Sequence, residues 1–76
     1  MNAAVGRRRI FIFYPAINER AWRVLTPGGT FETFPTEGRA VAFALETASR
    51  LRATGICDVL KETISGGWAP VHTPLS

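Results

Sequence analysis

Cys57 and His72 are the only thiol and the only imidazole in this chain. A nucleophile and its base must stand within hydrogen-bond reach of each other, and nothing in their spacing brings these two together. A metal centre needs three or four grouped ligands. One Cys, one His and six scattered carboxylates (Glu19, Glu32, Glu37, Glu46, Asp58, Glu62) do not supply them. Glu32, Glu37 and Glu62 fall near element ends and read as solvated. Gly28-Gly29 and Gly66-Gly67 lack the Lys-Ser/Thr that follows a phosphate-cradling loop, so they read as turn glycines. The expectation is therefore a non-enzymatic chain with no cofactor, no metal and no small-molecule ligand. Cys57 reads as a small buried apolar residue at the start of a strand. With no second cysteine there is no intrachain disulfide, which favours a reducing, cytoplasmic compartment.

The arginines suggest a different chemistry. The formal charge is +3. Arg7, Arg8 and Arg9 account for all of that excess, because the six remaining basic residues balance the six acidic ones. Phosphate affinity would then come mainly from an N-terminal basic arm over residues 1–9, not from a basic face on the folded body. Arg7, Arg8, Arg9 and Arg23 are the candidate nucleic-acid contacts. Trp22, Phe31 and Tyr14 are candidates for stacking unpaired bases on a sheet face. The opposing reading is that aromatics in so small a domain form its core. Arg8-Arg9 before Ile10-Phe11-Ile12 superficially resembles a twin-arginine export signal. Pro15 and Asn18-Glu19-Arg20 interrupt the apolar run too early, and no Ala-x-Ala site follows. No stretch is long and apolar enough for a membrane-spanning helix.

Whatever binds must be positioned by a small scaffold. The chain has 76 residues, 46% of them hydrophobic, which points to one globular domain with a thin stability margin. Self-association would relieve that margin, so a homodimer is an expected partner state. Ile10–Tyr14 is rich in β-formers on both faces, as a strand covered twice or lying in a subunit interface would be. Ile10, Ile12, Tyr14 and Trp68 are the candidate interface residues. Trp22 to Leu25 and Thr30 to Phe34 read as a hairpin. Pro27 and Gly28 occupy the centre of a type II turn. Trp22 and Val24 share one face, Arg23 and Leu25 the other; Phe31 pairs with Thr33, and Glu32 with Phe34.

Thr36 is suited to cap a helix. Ala40, Phe43, Ala44, Ala48 and Leu51 form its buried stripe, and Glu46 and Arg50 stand four apart on the wet side. Gly55 supplies a left-handed stop. Ile56 to Glu62 returns as a strand, Ser65-Gly66-Gly67 turns, and Trp68 to His72 is a short edge strand that tolerates Pro70. The fold class is α+β, a single domain over residues 10–72. It has an antiparallel sheet of three to five strands with one helix on one face, in the order β-β-β-α-β with a final short β. Residues 73–76 form a tail.

Trp22-x-Val24, Phe34-x-Thr36, the Ala40/Ala44/Ala48 ladder, Leu51, Gly55 and Val59-Leu60-Lys61-Glu62 form a pattern that resembles a family of small bacterial proteins catalogued only as a domain of unknown function. The resemblance runs from about Ala21 to Trp68. This chain departs from it by the added strand Ile10–Tyr14, by Glu37-Gly38-Arg39 in place of an acidic first helical turn, and by its proline-containing tail. The resemblance implies the fold and carries no activity. The topology is also similar to that of small double-stranded-RNA-binding-like domains, a likeness of fold alone. Two functions are expected from the residues. The first is an interaction module that self-associates through the strand Ile10–Tyr14 or through an open sheet face. The second is a weak, sequence-tolerant nucleic-acid binder using the arm and Arg23.

Overall fold

A computed structural model describes residues 7–16 and 18–72. The described chain forms β1 (Arg7–Phe13), β2 (Trp22–Leu25), β3 (Phe31–Phe34), α1 (Glu37–Leu51), a short 3-10 turn (Arg52–Thr54), β4 (Ile56–Glu62) and β5 (Trp68–Val71). It is an α+β fold. The five strands make one sheet in the order β3-β2-β1-β4-β5, with α1 on one face.

The sheet is mixed, not antiparallel throughout as expected. β1 and β4 are parallel, with Ile10 level with Val59 and Phe11 level with Leu60, while the other three pairings are antiparallel. Antiparallel connections set β2 beside β1 and β3 beside β2. β4 arrives differently, because α1 carries the chain over the sheet to the far side of β1. A parallel neighbour requires such a crossover of a dozen or more residues.

Both hairpins use the same turn, and it is not the type II turn expected at Pro27-Gly28. Gly29 N donates to Thr26 O at 2.9 Å, Thr26 N donates to Thr30 O at 3.0 Å, and the positive φ falls on Gly29 (88°), not on Gly28. This is a type I turn closed by a left-handed residue, a form whose twist matches the strands it joins. Thr63 to Gly67 repeats it, with Gly66 N donating to Thr63 O at 2.9 Å and φ of 91° at Gly66. A Cβ at Gly28, Gly29 or Gly66 would meet nothing within 4 Å, so backbone conformation alone separates them. Gly29→Ala and Gly66→Ala are each expected to lower stability by about 1–2 kcal/mol. Gly28→Ala should leave it within about 0.5 kcal/mol of the parent. Urea titrations of the three variants check this ordering.

Thr36 caps α1 as expected, its Oγ1 accepting from Arg39 N at 3.2 Å. The far end differs. Gly55 is extended (φ 164°), and the helix closes instead through the 3-10 turn, where Thr54 Oγ1 donates to Leu51 O at 3.2 Å. Arg50 lies 3.5 Å from Thr47 Oγ1. Lys61 of β4 pairs with Glu37 in the first turn of α1, which binds the helix N-terminus to the sheet. Glu37 keeps 45% of its side chain exposed, as expected of a solvated carboxylate, and adds this pairing.

The core is what the alanine stripe allows. Ala40, Ala44 and Ala48 are fully buried against Ile10, Ile12, Val24, Cys57 and Val59, and no polar or charged residue is buried among those described. Phe34 and Phe43 pack beside them with ring centroids 5.0 Å apart, and Tyr14 packs edge-on to Trp22 at 5.0 Å.

Candidate functional site

Strand alternation assigns each side chain to one of two faces. The helix face takes Arg8, Ile10 and Ile12 of β1 with Trp22, Val24, Phe34, Cys57, Val59 and Lys61. No element covers the other face among the described residues. Its side chains stand in level rows across the strands. One row holds Thr33, Arg23, Phe13, Glu62 and Trp68. The next holds Phe31, Leu25, Phe11, Leu60 and Pro70, apolar across all five strands. Beyond it Arg9 pairs with Asp58, and Arg7 with Ile56.

The aromatic side chains interlock. Phe11 and Trp68 meet at 5.2 Å and Phe13 and Trp68 at 5.4 Å, both edge to face, and Phe13 and Phe31 meet at 5.9 Å. The Arg23 guanidinium lies 5.6 Å from the Phe13 ring centroid and 5.7 Å from that of Phe31. A cation so placed over a ring gains about 0.5–2 kcal/mol, more as water is excluded. Arg23 Nε is buried and has no hydrogen-bond partner among the described residues. Phe31 stays 50% exposed and Trp68 43%, so the patch is apolar surface open to water. Glu62 Oε1 accepts from Tyr14 N at 3.0 Å. Arg7 Nε lies 3.3 Å from Asp58 Oδ2, an exposed pair of small energetic value. A furrow of about 650 Å³ runs from Arg7 and Arg9 past Phe11 to the Pro27 turn.

These positions revise several expectations. Ile10 and Ile12 are wholly buried under α1 and offer nothing to a partner. β1 is the central strand, and its pairing with β2 over Phe11–Phe13 and with β4 over Arg7–Ile12 occupies the edges that the expected interface strand would offer. Tyr14 lies past the end of β1, on the helix side against Trp22, so neither ring belongs to the open face. Of the four interface candidates only Trp68 lies on it. Arg7, Arg8 and Arg9 begin β1 and are strand, not arm; residues 1–6 of the expected arm lie outside the described residues, as does the tail at 73–76. Main-chain pairing with Ile56, Cys57 and Asp58 orders the three arginines and splits them between faces. Arg8 donates to Thr54 Oγ1 at 2.7 Å on the helix side, away from Arg7, Arg9 and Arg23. Phe11, Phe13, Leu25, Leu60 and Pro70 were not singled out for the open face, and Glu62 was read as solvated without being placed there. Once Ile10 and Ile12 are given to the helix, period-two alternation sends Phe11 and Phe13 to the other face, a signal present in the sequence.

Cys57 lies beneath α1 and is 2% exposed, whereas His72 follows β5 and is exposed. Burial pushes the Cys57 thiol above its ordinary 9.0, against the opposing pull of Arg52 and Arg8. The folded protein therefore keeps a proton that the unfolded chain releases. Stability is complete below the unfolded pKa and falls as pH rises from there toward the folded pKa. The urea midpoint is expected to drop between pH 8 and pH 10. Cys57→Ala should flatten that drop; an equal drop in both proteins would contradict it.

Among the described residues no group of three or more His, Cys, Asp or Glu stands close enough to hold a metal ion, and no helix is long and apolar enough to cross a membrane. No family model matches the chain, and comparison with curated proteins and with solved structures gives no significant match.

Proposed function

We propose that this chain is a non-enzymatic interaction module that self-associates through its uncovered sheet face. The observation that carries the reading is the apolar row Phe31, Leu25, Phe11, Leu60 and Pro70 across all five strands, with Trp68 and Phe13 beside it. Five strands about 4.8 Å apart, with residues rising about 3.3 Å each, outline roughly 400 Å² in projection. With side-chain relief, that approaches the ~800 Å² per partner of a standard stable interface. Two such faces stacked about 10 Å apart make a sandwich core. The second copy supplies the covering layer that one helix on the opposite face cannot. A reducing, cytoplasmic setting belongs to the same reading, on the strength of the single free thiol.

Nucleic-acid binding ranks behind it. The face carries Asp58 and Glu62 beside Arg7, Arg9 and Arg23, so its charge is nearly balanced. Its rings are turned edge-on to one another or covered by Arg23, which leaves little free ring face for a base to stack on.

Light scattering tests both. The parent is expected to run as a dimer whose mass is unchanged between low and high salt. Phe31→Glu, at a half-exposed position, should yield a folded monomer. A monomeric parent that binds an oligonucleotide with affinity falling by a slope of about 0.7–0.9 per phosphate in log salt would replace this reading with the other.

A further inference from the structure

Arg23 and Glu62 flank Phe13 in the same row. Arg23 is its partner on β2, and the pairing of Ile12 with Lys61 brings Glu62 level with it on β4. Each therefore stands one strand from β1, on opposite sides and at the same height. A two-fold axis lying between two stacked faces and running along β1 exchanges those sides and preserves height. It carries the position of Arg23 onto that of Glu62.

We infer that the chain dimerises about a two-fold axis along β1, with Arg23 paired to Glu62 of the second copy and Glu62 to Arg23 of the second copy. This rests on the self-association reading above and names its symmetry and its polar pair. Phe13 and Phe31 hold the Arg23 guanidinium in place, and because its Nε is already buried within the monomer, the pairing falls to the terminal Nη groups. A pre-oriented cation loses little rotamer freedom on pairing. Glu62 Oε1 accepts from the Tyr14 amide, an anchor that leaves its second oxygen for a partner. The apolar row obeys the same operation, with Leu25 facing Leu60, Phe31 facing Pro70, and Phe11 near the axis. Arg9 falls near the axis too and meets Arg9 of the second copy, a like-charge contact at the wet end of the face that Asp58 of each copy flanks and offsets.

The other in-plane two-fold axis, running across the strands through the apolar row, gives a worse match. It sets Glu62 over Asp58 of the second copy, two carboxylates face to face, and leaves Arg23 opposite the Pro27 turn with no carboxylate. Like charges brought together in an interface oppose association. Of these two isologous arrangements, the axis along β1 is the one in which the row of Arg23 and Glu62 complements itself.

A charge exchange decides it. Arg23→Glu and Glu62→Arg, each alone, set like charges against each other and should weaken dimerisation about a hundredfold or more. The double variant should restore the dimer to within about tenfold of the parent. Glu62→Gln keeps an acceptor for the Tyr14 amide and should weaken the dimer without unfolding the monomer, which circular dichroism verifies. Sedimentation of all five proteins reads the constants. A dimeric parent whose double variant stays monomeric, or whose single variants stay dimeric, overturns this pairing and leaves self-association standing. A parent that is monomeric at millimolar concentration overturns both.

Discussion

Truncating Ile12 to alanine is expected to lower the unfolding free energy by about 2–5 kcal/mol, the range for a buried isoleucine that leaves a cavity. Ile12 is wholly buried beneath α1, level with Val24 on one neighbouring strand and Lys61 on the other. Neither flanking strand can close the gap without breaking the pairing that holds β1 at the centre of the sheet. A chain this small has a total stability near the lower end of the usual ~5–15 kcal/mol. The same loss should lower the thermal midpoint by at least about 8 °C, at roughly 4–8 °C per kcal/mol for a domain of this size. Phe31→Ala is the informative contrast. Its larger side chain is half exposed, so the monomer should lose less than about 1 kcal/mol. The comparison belongs at low protein concentration, because dimerisation adds stability by mass action and would make Phe31 appear to support the fold. An Ile12→Ala loss under 1 kcal/mol would contradict the packing described.

What the sequence made legible follows the range of the interactions that decide each feature. The Thr36 cap, the alanine stripe and the alternation of Trp22 to Leu25 are fixed by residues a few positions apart, and they stand as read. The bounds of β4 coincide with the expected strand Ile56 to Glu62. Features set at a distance did not show. The parallel pairing of β1 with β4 depends on where a fifteen-residue helix delivers the chain. The place of Arg7–Arg9 depends on that same partner, since three consecutive arginines read as an arm until a neighbouring strand pairs with them. Two adjacent glycines left the hairpin ambiguous: Gly28 and Gly29 can each adopt positive φ, and the bond from Thr26 N to Thr30 O selects the second. The open face was half visible. Phe11 and Phe13 alternate with Ile10 and Ile12, yet an all-apolar strand does not say which set the helix takes. Lys61 helps decide, because its pairing with Glu37 at the start of α1 marks the helix side of β4.

The alanine stripe carries the other large effect. Ala44→Leu is expected to destabilise by about 3 kcal/mol, the upper part of the overpacking range. Ala44 is the middle of three fully buried alanines spaced four apart, and it faces the sheet with no side chain of its own to give way. The Leu branch has two routes. It can push α1 away from the sheet, which also separates Ala40 and Ala48 from their contacts, or it can displace side chains such as Ile12 and Val59 that already fill the interior. Helix propensity does not confuse the result, since leucine and alanine differ by only a few tenths of a kcal/mol. Ala42→Leu, on the exposed side of the same helix, therefore serves as the control and should stay within about 0.5 kcal/mol of the parent. Ala44→Gly should also destabilise, by about 1 kcal/mol from propensity alone. Loss on enlargement at Ala44, with indifference to the same enlargement two residues away, is the signature of a helix seated at a distance that only a methyl group fits. Urea denaturation of the three variants reads it directly. If Ala44→Leu proves as stable as Ala42→Leu, the helix does not lie against the sheet at this residue, and the covered and uncovered faces would have to be assigned again.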